Sequence, residues 1–299
     1  MSYISQTPRQ TQTADHWASP EQVTFAQLCF TYLLISPSYE LARKHRAGLL
    51  TQEDSAALPA DMDTVLRTFD MLGDVTAVQF DDWWFGNGIA AFGNEGARPI
   101  VYPIDAIWPT KGNLAGELNE RMNGYLAGRF QQQDPQSCFI LSVPLSLTKS
   151  DIVEQVKDVL DGVSDKFRKL PCRTPNYPLY GQKRDLSGMI RYIKCAMCRL
   201  HDPDLKLWEI GVIAELSPTY SKRLALGKGT PEDQQQLKML ASRALNRSAM
   251  IAENAARGLF PTYDKCDHAI MPDWKTLGDV FANHEGWSNG LEEADELQS

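Results

Sequence analysis

Four residues in the C-terminal half of the sequence have the types and spacing of a zinc site. Cys195 and Cys198 are separated by two residues, and Cys266 and His268 could supply two further ligands, since structural zinc prefers thiolates and imidazoles. Alternatively, the Cys-x-x-Cys pair lies within a helix, where a free cysteine usually serves as a small buried hydrophobic residue. We favour the helix and expect no metal and no cofactor, although the sequence leaves zinc open as an alternative.

Paired acidic residues form a second candidate for chemistry. Asp81 and Asp82 precede Trp83 and Trp84, a composition that suits a metal-dependent enzyme or a polar binding site. It also suits a helix N-terminus, where acidic side chains favour the helix dipole, followed by a large aromatic anchor. The histidines lie in no recognisable catalytic context, and no Ser/His/Asp or Cys/His arrangement is found. We therefore expect a protein that is not an enzyme.

Most of the sequence shows the hydrophobic spacing of amphipathic helices. The first helix is expected to begin with Ser19, Pro20 and Gln22, which combine a capping box with proline at the first helical position. Further helical patterns follow at residues 62–72, 114–130, 148–167, 185–200, 206–215, 218–226 and 231–258.

Two stretches have the character of β-strands. Apolar residues alternate with a period of two from Phe139 to Leu147, and a second apolar stretch covers residues 98–108. Pro144 and Pro103 place both strands at sheet edges, because proline cannot donate to a β-ladder. The predicted fold is mainly α with a small α+β element and a helical C-terminal domain.

The expected domain organisation has four parts. Residues 1–18 are polar and predicted to be disordered, 19–170 form an α+β domain, 171–262 form a helical domain, and 263–299 form an acidic, weakly ordered tail.

The segment Leu207–Ala225 (LWEIGVIAELSPTYSKRLA) resembles the helix-turn-helix of bacterial DNA-binding proteins. Gly211 supplies the small residue that the packing of the two helices needs, and Pro218 starts the second helix. The sequence departs from the motif at Glu215, where the turn usually has glycine, and at Ser221, where an apolar residue is usual. In general style the chain is similar to bacterial mobile-element proteins, and no family covering the whole chain is identified.

The resemblance implies that the second helix meets the major groove of double-stranded DNA. Its candidate contact residues are Thr219, Tyr220, Lys222 and Arg223, because arginine can read guanine and hydroxyl groups commonly bind phosphates. A neighbouring basic segment would hold the DNA backbone through Lys166, Arg168, Lys169, Arg173, Lys183 and Arg184.

The charge distribution supports this hypothesis better than the net charge of −8 does. Residues 51–100 carry a net charge of −7, whereas residues 163–200 carry +7. A basic surface attracts phosphate backbones through counterion release, even when the whole protein is acidic. The same charges could instead pair with the acidic N-terminal half or with a partner.

These observations predict a non-enzymatic DNA-binding protein, either a regulator or a subunit of a DNA-processing assembly. The alternative is a protein–protein interaction subunit of a larger complex, a homo-oligomer or a hetero-complex, without direct DNA binding. No apolar run reaches the roughly 20 residues of a membrane span, and the few cysteines fit a reducing compartment. We therefore expect a cytoplasmic protein with no membrane association.

Overall fold

The described part of the chain is mainly α-helical with a small two-stranded β-sheet, which confirms the predicted fold class. The computed structural model describes residues 11–96, 98, 100–104, 112–132, 138–162, 175–181 and 185–278. None of the described helices is both long and apolar enough to cross a membrane.

The two strands, β1 (His16–Trp17) and β2 (Asn94–Glu95), pair in an antiparallel register that places His16 opposite Glu95. A π-helical turn, Trp84–Gly88, joins two short helices. The helices in chain order are α1 Pro20–Leu34, α2 Pro37–Ala47, α3 Gln52–Ala56, α4 Met62–Leu72, α5 Phe80–Trp83, α6 Ile89–Phe92, α7 Leu114–Ala127, α8 Arg129–Gln132, α9 Lys149–Asp161, α10 Leu186–His201, α11 Leu207–Ile213, α12 Pro218–Ala225 and α13 Pro231–Ala255.

The chain divides into two compact units whose segments alternate along the sequence. The first unit contains Ala18–Gly93 and the described residues from Pro175 onward, and the second contains Gln12–Trp17 and the described residues of Asn94–Thr174. This division differs from the predicted one, which placed 19–170 and 171–262 in separate domains. The reason is long-range packing, because α1 shares a core with α10 and α13.

Helix α13 is the main packing element of the first unit. It contacts α1, α10, α11 and α12, and buries alanines such as Ala241 and Ala252, whose small side chains allow close approach of the neighbouring helices. The Tyr32 hydroxyl of α1 donates to the Met189 carbonyl of α10 at 2.8 Å. Helices from both ends of the sequence therefore form one hydrophobic core.

Helix α1 begins as predicted. The Ser19 hydroxyl accepts a hydrogen bond from the Gln22 amide at 3.2 Å, while the Gln22 side-chain oxygen accepts one from the Ser19 amide at 2.8 Å. With Pro20 at the first helical position, the capping box satisfies backbone donors that would otherwise lack partners.

A buried ionic network ties the C-terminal end of α13 to the N-terminal helices. Arg257 donates Nε to Asp61 Oδ2 at 2.7 Å and Nη1 to Glu253 Oε2 at 2.9 Å. The fully buried Glu253 carboxylate also accepts the Ser36 hydroxyl at 2.7 Å and the Ser38 amide at 3.1 Å. The two buried charges therefore compensate each other and have further polar partners, which such a pair needs to be tolerated in a core.

The second unit exposes its hydrophobic side chains. Neither α7 nor α9 has a buried residue, and Phe139 and Leu145 are 55% and 76% exposed. The two predicted strands are wrong over the described residues, because 98, 100–104 and 139–147 contain no strand. An alternating pattern makes a strand only when a neighbour pairs with its backbone, and Pro144 also removes one donor.

Both predicted terminal segments are more structured than expected. Within 1–18, the Ala18 amide donates to the Thr11 carbonyl at 2.9 Å, and residues 16–17 form β1, while 1–10 lie outside the described residues. Within 263–299, Leu277 is buried, and the Asn254 side-chain amide of α13 donates to the Asp264 carbonyl at 2.9 Å. Backbone pairing organises the first segment, and a side-chain hydrogen bond from α13 and the burial of Leu277 organise the second, which the composition alone does not reveal. Residues 279–299 lie outside the described part.

Candidate nucleic-acid interface

Two short helices, α11 and α12, are joined by the four residues 214–217. Helix α11 begins after Lys206, whose backbone amide donates to Glu209 Oε2 at 2.9 Å. Helix α12 begins with Pro218, which has no amide hydrogen to leave unpaired at the first helical position. The observed helices lie within the predicted ranges 206–215 and 218–226.

The connection between the helices turns sharply at Glu215, whose φ is 51°. The Glu215 amide donates to the Val212 carbonyl and the Leu216 amide to the Gly211 carbonyl, both at 3.1 Å. These bonds end α11 in a left-handed residue, the conformation that glycine usually supplies at a helix C-terminus. The exposed Glu215 adopts this conformation, so its departure from the usual glycine does not prevent the turn.

The structure also shows how Ser221 is accommodated where the motif usually has an apolar residue. Ser221 is buried, and its hydroxyl donates to the Gly211 carbonyl at 3.1 Å. The same carbonyl accepts the Leu216 amide, so one backbone oxygen links α11, the turn and α12. A hydroxyl replaces an apolar contact here without leaving a buried donor unpaired.

The close packing that requires a residue as small as glycine at position 211 is with α13 and not with α12. A Cβ atom at Gly211 would lie 3.0 Å from Leu237 Cβ and 3.2 Å from the Leu237 carbonyl oxygen. Ile210 and Ala214 are buried, whereas Leu207 is half-buried. Helix α11 therefore packs closely on α13. This packing fixes the direction in which α12 continues from the turn.

Helix α12 presents a polar, basic surface. Thr219, Lys222 and Arg223 are exposed, and Tyr220 is half-buried. The helix contains no acidic residue, and Lys228 follows it as a further exposed cation. The surface therefore combines cations, a hydroxyl and a phenol, which can bind phosphates and base edges.

An acidic side chain of α13 lies next to the basic surface of α12. Asp233 Oδ1 lies 3.6 Å from Arg223 Nη1, and Asp233 is buried whereas the Arg223 side chain is 56% exposed. Asp233 is not among the residues predicted from the sequence. The spacing of Thr230 and Asp233 shows a helix cap, but it does not reveal that the carboxylate also faces Arg223.

The second set of predicted contacts cannot be placed relative to α12. All six residues of the basic segment lie outside the described residues: Lys166, Arg168, Lys169, Arg173, Lys183 and Arg184. The structure thus brings together the four candidates on α12 only.

The cysteines do not assemble into a metal centre within the described residues, where no three His, Cys, Asp or Glu side chains converge. Cys195 lies in α10, and burial raises the pKa of its thiol to about 12. Burial also raises the pKa of the half-buried Cys198 thiol. Cys195 is fully buried and packs as a residue of the hydrophobic core.

The acidic pair Asp81 and Asp82 lies at a helix N-terminus and is followed by a buried aromatic anchor. Asp81 and Asp82 are exposed in the first helical turn, whereas Trp83 and Trp84 are buried. Trp83 Nε1 donates to the Leu72 carbonyl at 2.6 Å, which makes it an anchor between α5 and α4.

Comparison with known protein families, characterised proteins and solved structures found no match to this chain.

Proposed function

We propose that this chain is a non-enzymatic DNA-binding protein in which α12 enters the major groove of double-stranded DNA. The observation that carries the proposal is the basic face of α12, held on a tight turn by the bonds of Gly211, Leu216 and Ser221. An α-helix with its side chains is about 10–12 Å in diameter, and the major groove is about 12 Å wide, so α12 fits with its side chains on base edges and phosphates.

Each polar side chain on the exposed surface of α12 has a role in this proposal. Lys222 and Thr219 bind phosphate oxygens, which fix the position of the helix, and Arg223 faces the base edges. Tyr220, half-buried, contributes its phenol at the margin of the contact. The six basic residues from Lys166 to Arg184 remain proposed contacts to the DNA backbone. The proposal covers both a regulator and a subunit of a DNA-processing assembly, including one of a bacterial mobile element.

The test is the fluorescence anisotropy of a labelled random duplex titrated with protein at several salt concentrations. We expect log affinity to fall linearly with log salt, and Lys222→Ala/Arg223→Ala to make this slope shallower by about one to two. Both side chains are exposed, and the contact of Arg223 with Asp233 is long at 3.6 Å, so we expect the thermal unfolding midpoint to stay close to the wild-type value.

Arg46→Ala/Arg67→Ala is the matched control, since it removes the same charge from α2 and α4. This control is expected to bind DNA like the wild type. Absence of salt-dependent binding, or equal slopes for the wild type and the α12 variant, would refute the proposal.

The second candidate function is a protein–protein interaction subunit, and the second unit favours it. None of its described residues belongs to the buried core, and Val101, Phe139, Ile140 and Leu145 are all more than half exposed. Large exposed apolar surface often marks a protein contact, and Phe139, Ile140 and Leu145 lie within seven residues of the sequence. Light scattering over a concentration series tests this function, because Phe139→Ser/Leu145→Ser removes apolar contacts and should abolish any association.

A further inference from the structure

Arg223 is the only charged residue of α12 that has an ion-pair partner among the described residues. Its Nη1 lies 3.6 Å from Asp233 Oδ1, and the Asp233 side chain is only 7% exposed. The carboxylate is therefore the buried member of this pair, whereas more than half of the Arg223 side chain is exposed.

Asp233 is held in place by the first turn of α13. Its Oδ2 accepts the Thr230 amide at 3.1 Å, and its own amide donates to the Thr230 hydroxyl at 3.3 Å. The two carboxylate oxygens thus have separate partners, one in the helix cap and one in Arg223. Because rotation of the carboxylate would break the cap, Asp233 offers Arg223 a fixed negative charge.

This pairing leaves one edge of the guanidinium available. Nε and Nη2 of Arg223 make no hydrogen bond among the described residues, and together they form a pair of parallel donors. Two parallel donors match O6 and N7 of guanine in the major groove. A side chain oriented before binding also loses less entropy when it contacts a base.

We propose that Asp233 is a positioning residue that orients Arg223 to recognise guanine. This inference rests on the proposed function and assigns its base specificity. Asp233 itself does not touch the DNA, and its negative charge repels phosphates. Its two effects on binding therefore have opposite signs, since it weakens general affinity and strengthens discrimination between bases.

The test begins with selection of preferred sites by the full-length protein from a random duplex library. In the selected site, guanine is replaced by adenine at each position, and the affinity ratio is measured for the wild type and variants. We expect one position with a ratio of about five- to 150-fold that is lost in Arg223→Lys, which keeps the charge but lacks the two parallel donors.

Asp233→Asn keeps an oxygen for the Thr230 amide but removes the charge that faces Arg223. We expect it to lower the guanine ratio several-fold, while affinity for random duplex is unchanged or higher. Thr230→Ala is the matched control, because it weakens the cap and keeps the carboxylate, so it should retain the guanine ratio. A role of Asp233 in helix capping alone predicts that Thr230→Ala and Asp233→Asn behave alike.

An unchanged guanine ratio in Asp233→Asn overturns this inference and leaves DNA binding intact. A selected site without an Arg223-dependent guanine also overturns it. Absence of salt-dependent binding by the wild type would overturn the proposed function and this inference together, so the failures are distinguishable.

Discussion

Replacement of Arg257 by methionine tests how strongly the buried ionic network holds the first unit together. Arg257→Met removes the guanidinium and retains most of the apolar stem, so little packing is lost. It leaves the fully buried Glu253 without its cation and Asp61 without its bidentate partner. Glu253 keeps the Ser36 and Ser38 donors, which reduce the cost without removing it.

The magnitude follows from the burial of the pair. Removing one partner of a buried ion pair costs about 3–5 kcal/mol, because the remaining charge is uncompensated in a medium of low dielectric constant. For a unit of this size each kcal/mol shifts the unfolding midpoint by about 2–4 °C, so we expect a decrease of roughly 6–20 °C. Glu253→Gln/Arg257→Met should lose less stability than the sum of its single variants, because the fully buried carboxylate that Arg257 compensates is also removed.

Thermal and urea unfolding followed by circular dichroism provide the measurement. Arg46→Met is the matched control, because Arg46 also forms a bidentate pair, with Asp70 at 2.7 and 2.6 Å, but on the surface. Surface pairs are screened by water, so this variant should unfold like the wild type. If Arg257→Met and Arg46→Met had the same midpoint, our account of the network would be refuted.

Two further predictions concern individual ionisable groups. Exposed Cys138 should react with a thiol reagent at pH 8, whereas buried Cys195, with a pKa of about 12, should react only after unfolding. Mass spectrometry of the labelled peptides measures the reaction of each cysteine. Equal labelling of the two cysteines in the native protein would contradict the prediction. The Thr51 amide and Lys44 lower the pKa of Asp54 to about 2, so its contribution to stability is complete above about pH 4 and is lost as pH falls towards 2. An NMR titration that gave Asp54 an ordinary pKa would disprove this assignment.

Local features of the fold could be predicted because short-range chemistry determines them. The cap at Ser19 and the helix start at Pro218 depend on neighbours within a few residues, and both are observed. The position of Cys195 on a buried helix face likewise follows from helical spacing. At the candidate interface, the exposure of Lys222 and Arg223 follows from the same spacing.

The remaining features depend on partners distant in the sequence. Ser36 binds Glu253 across 217 residues, and no spacing rule connects the two. The alternating pattern from Phe139 to Leu147 indicates which side chains could share a face, but it does not supply a neighbouring strand. Asp233 is a similar case over a shorter sequence separation. Its helix cap is local and can be predicted from the sequence, whereas its contact with Arg223 joins two different helices and cannot.

The shared core of α1, α10 and α13 has a consequence for synthesis on the ribosome. The N-terminal helices expose the surface that will pack on α13 until about 200 more residues have been added, which takes roughly 10–40 s at ordinary elongation rates. Apolar side chains such as Leu28 and Tyr32 remain accessible during that interval. Nascent chains of this protein are therefore expected to bind chaperones, and contacts this remote in sequence also slow refolding of the complete chain.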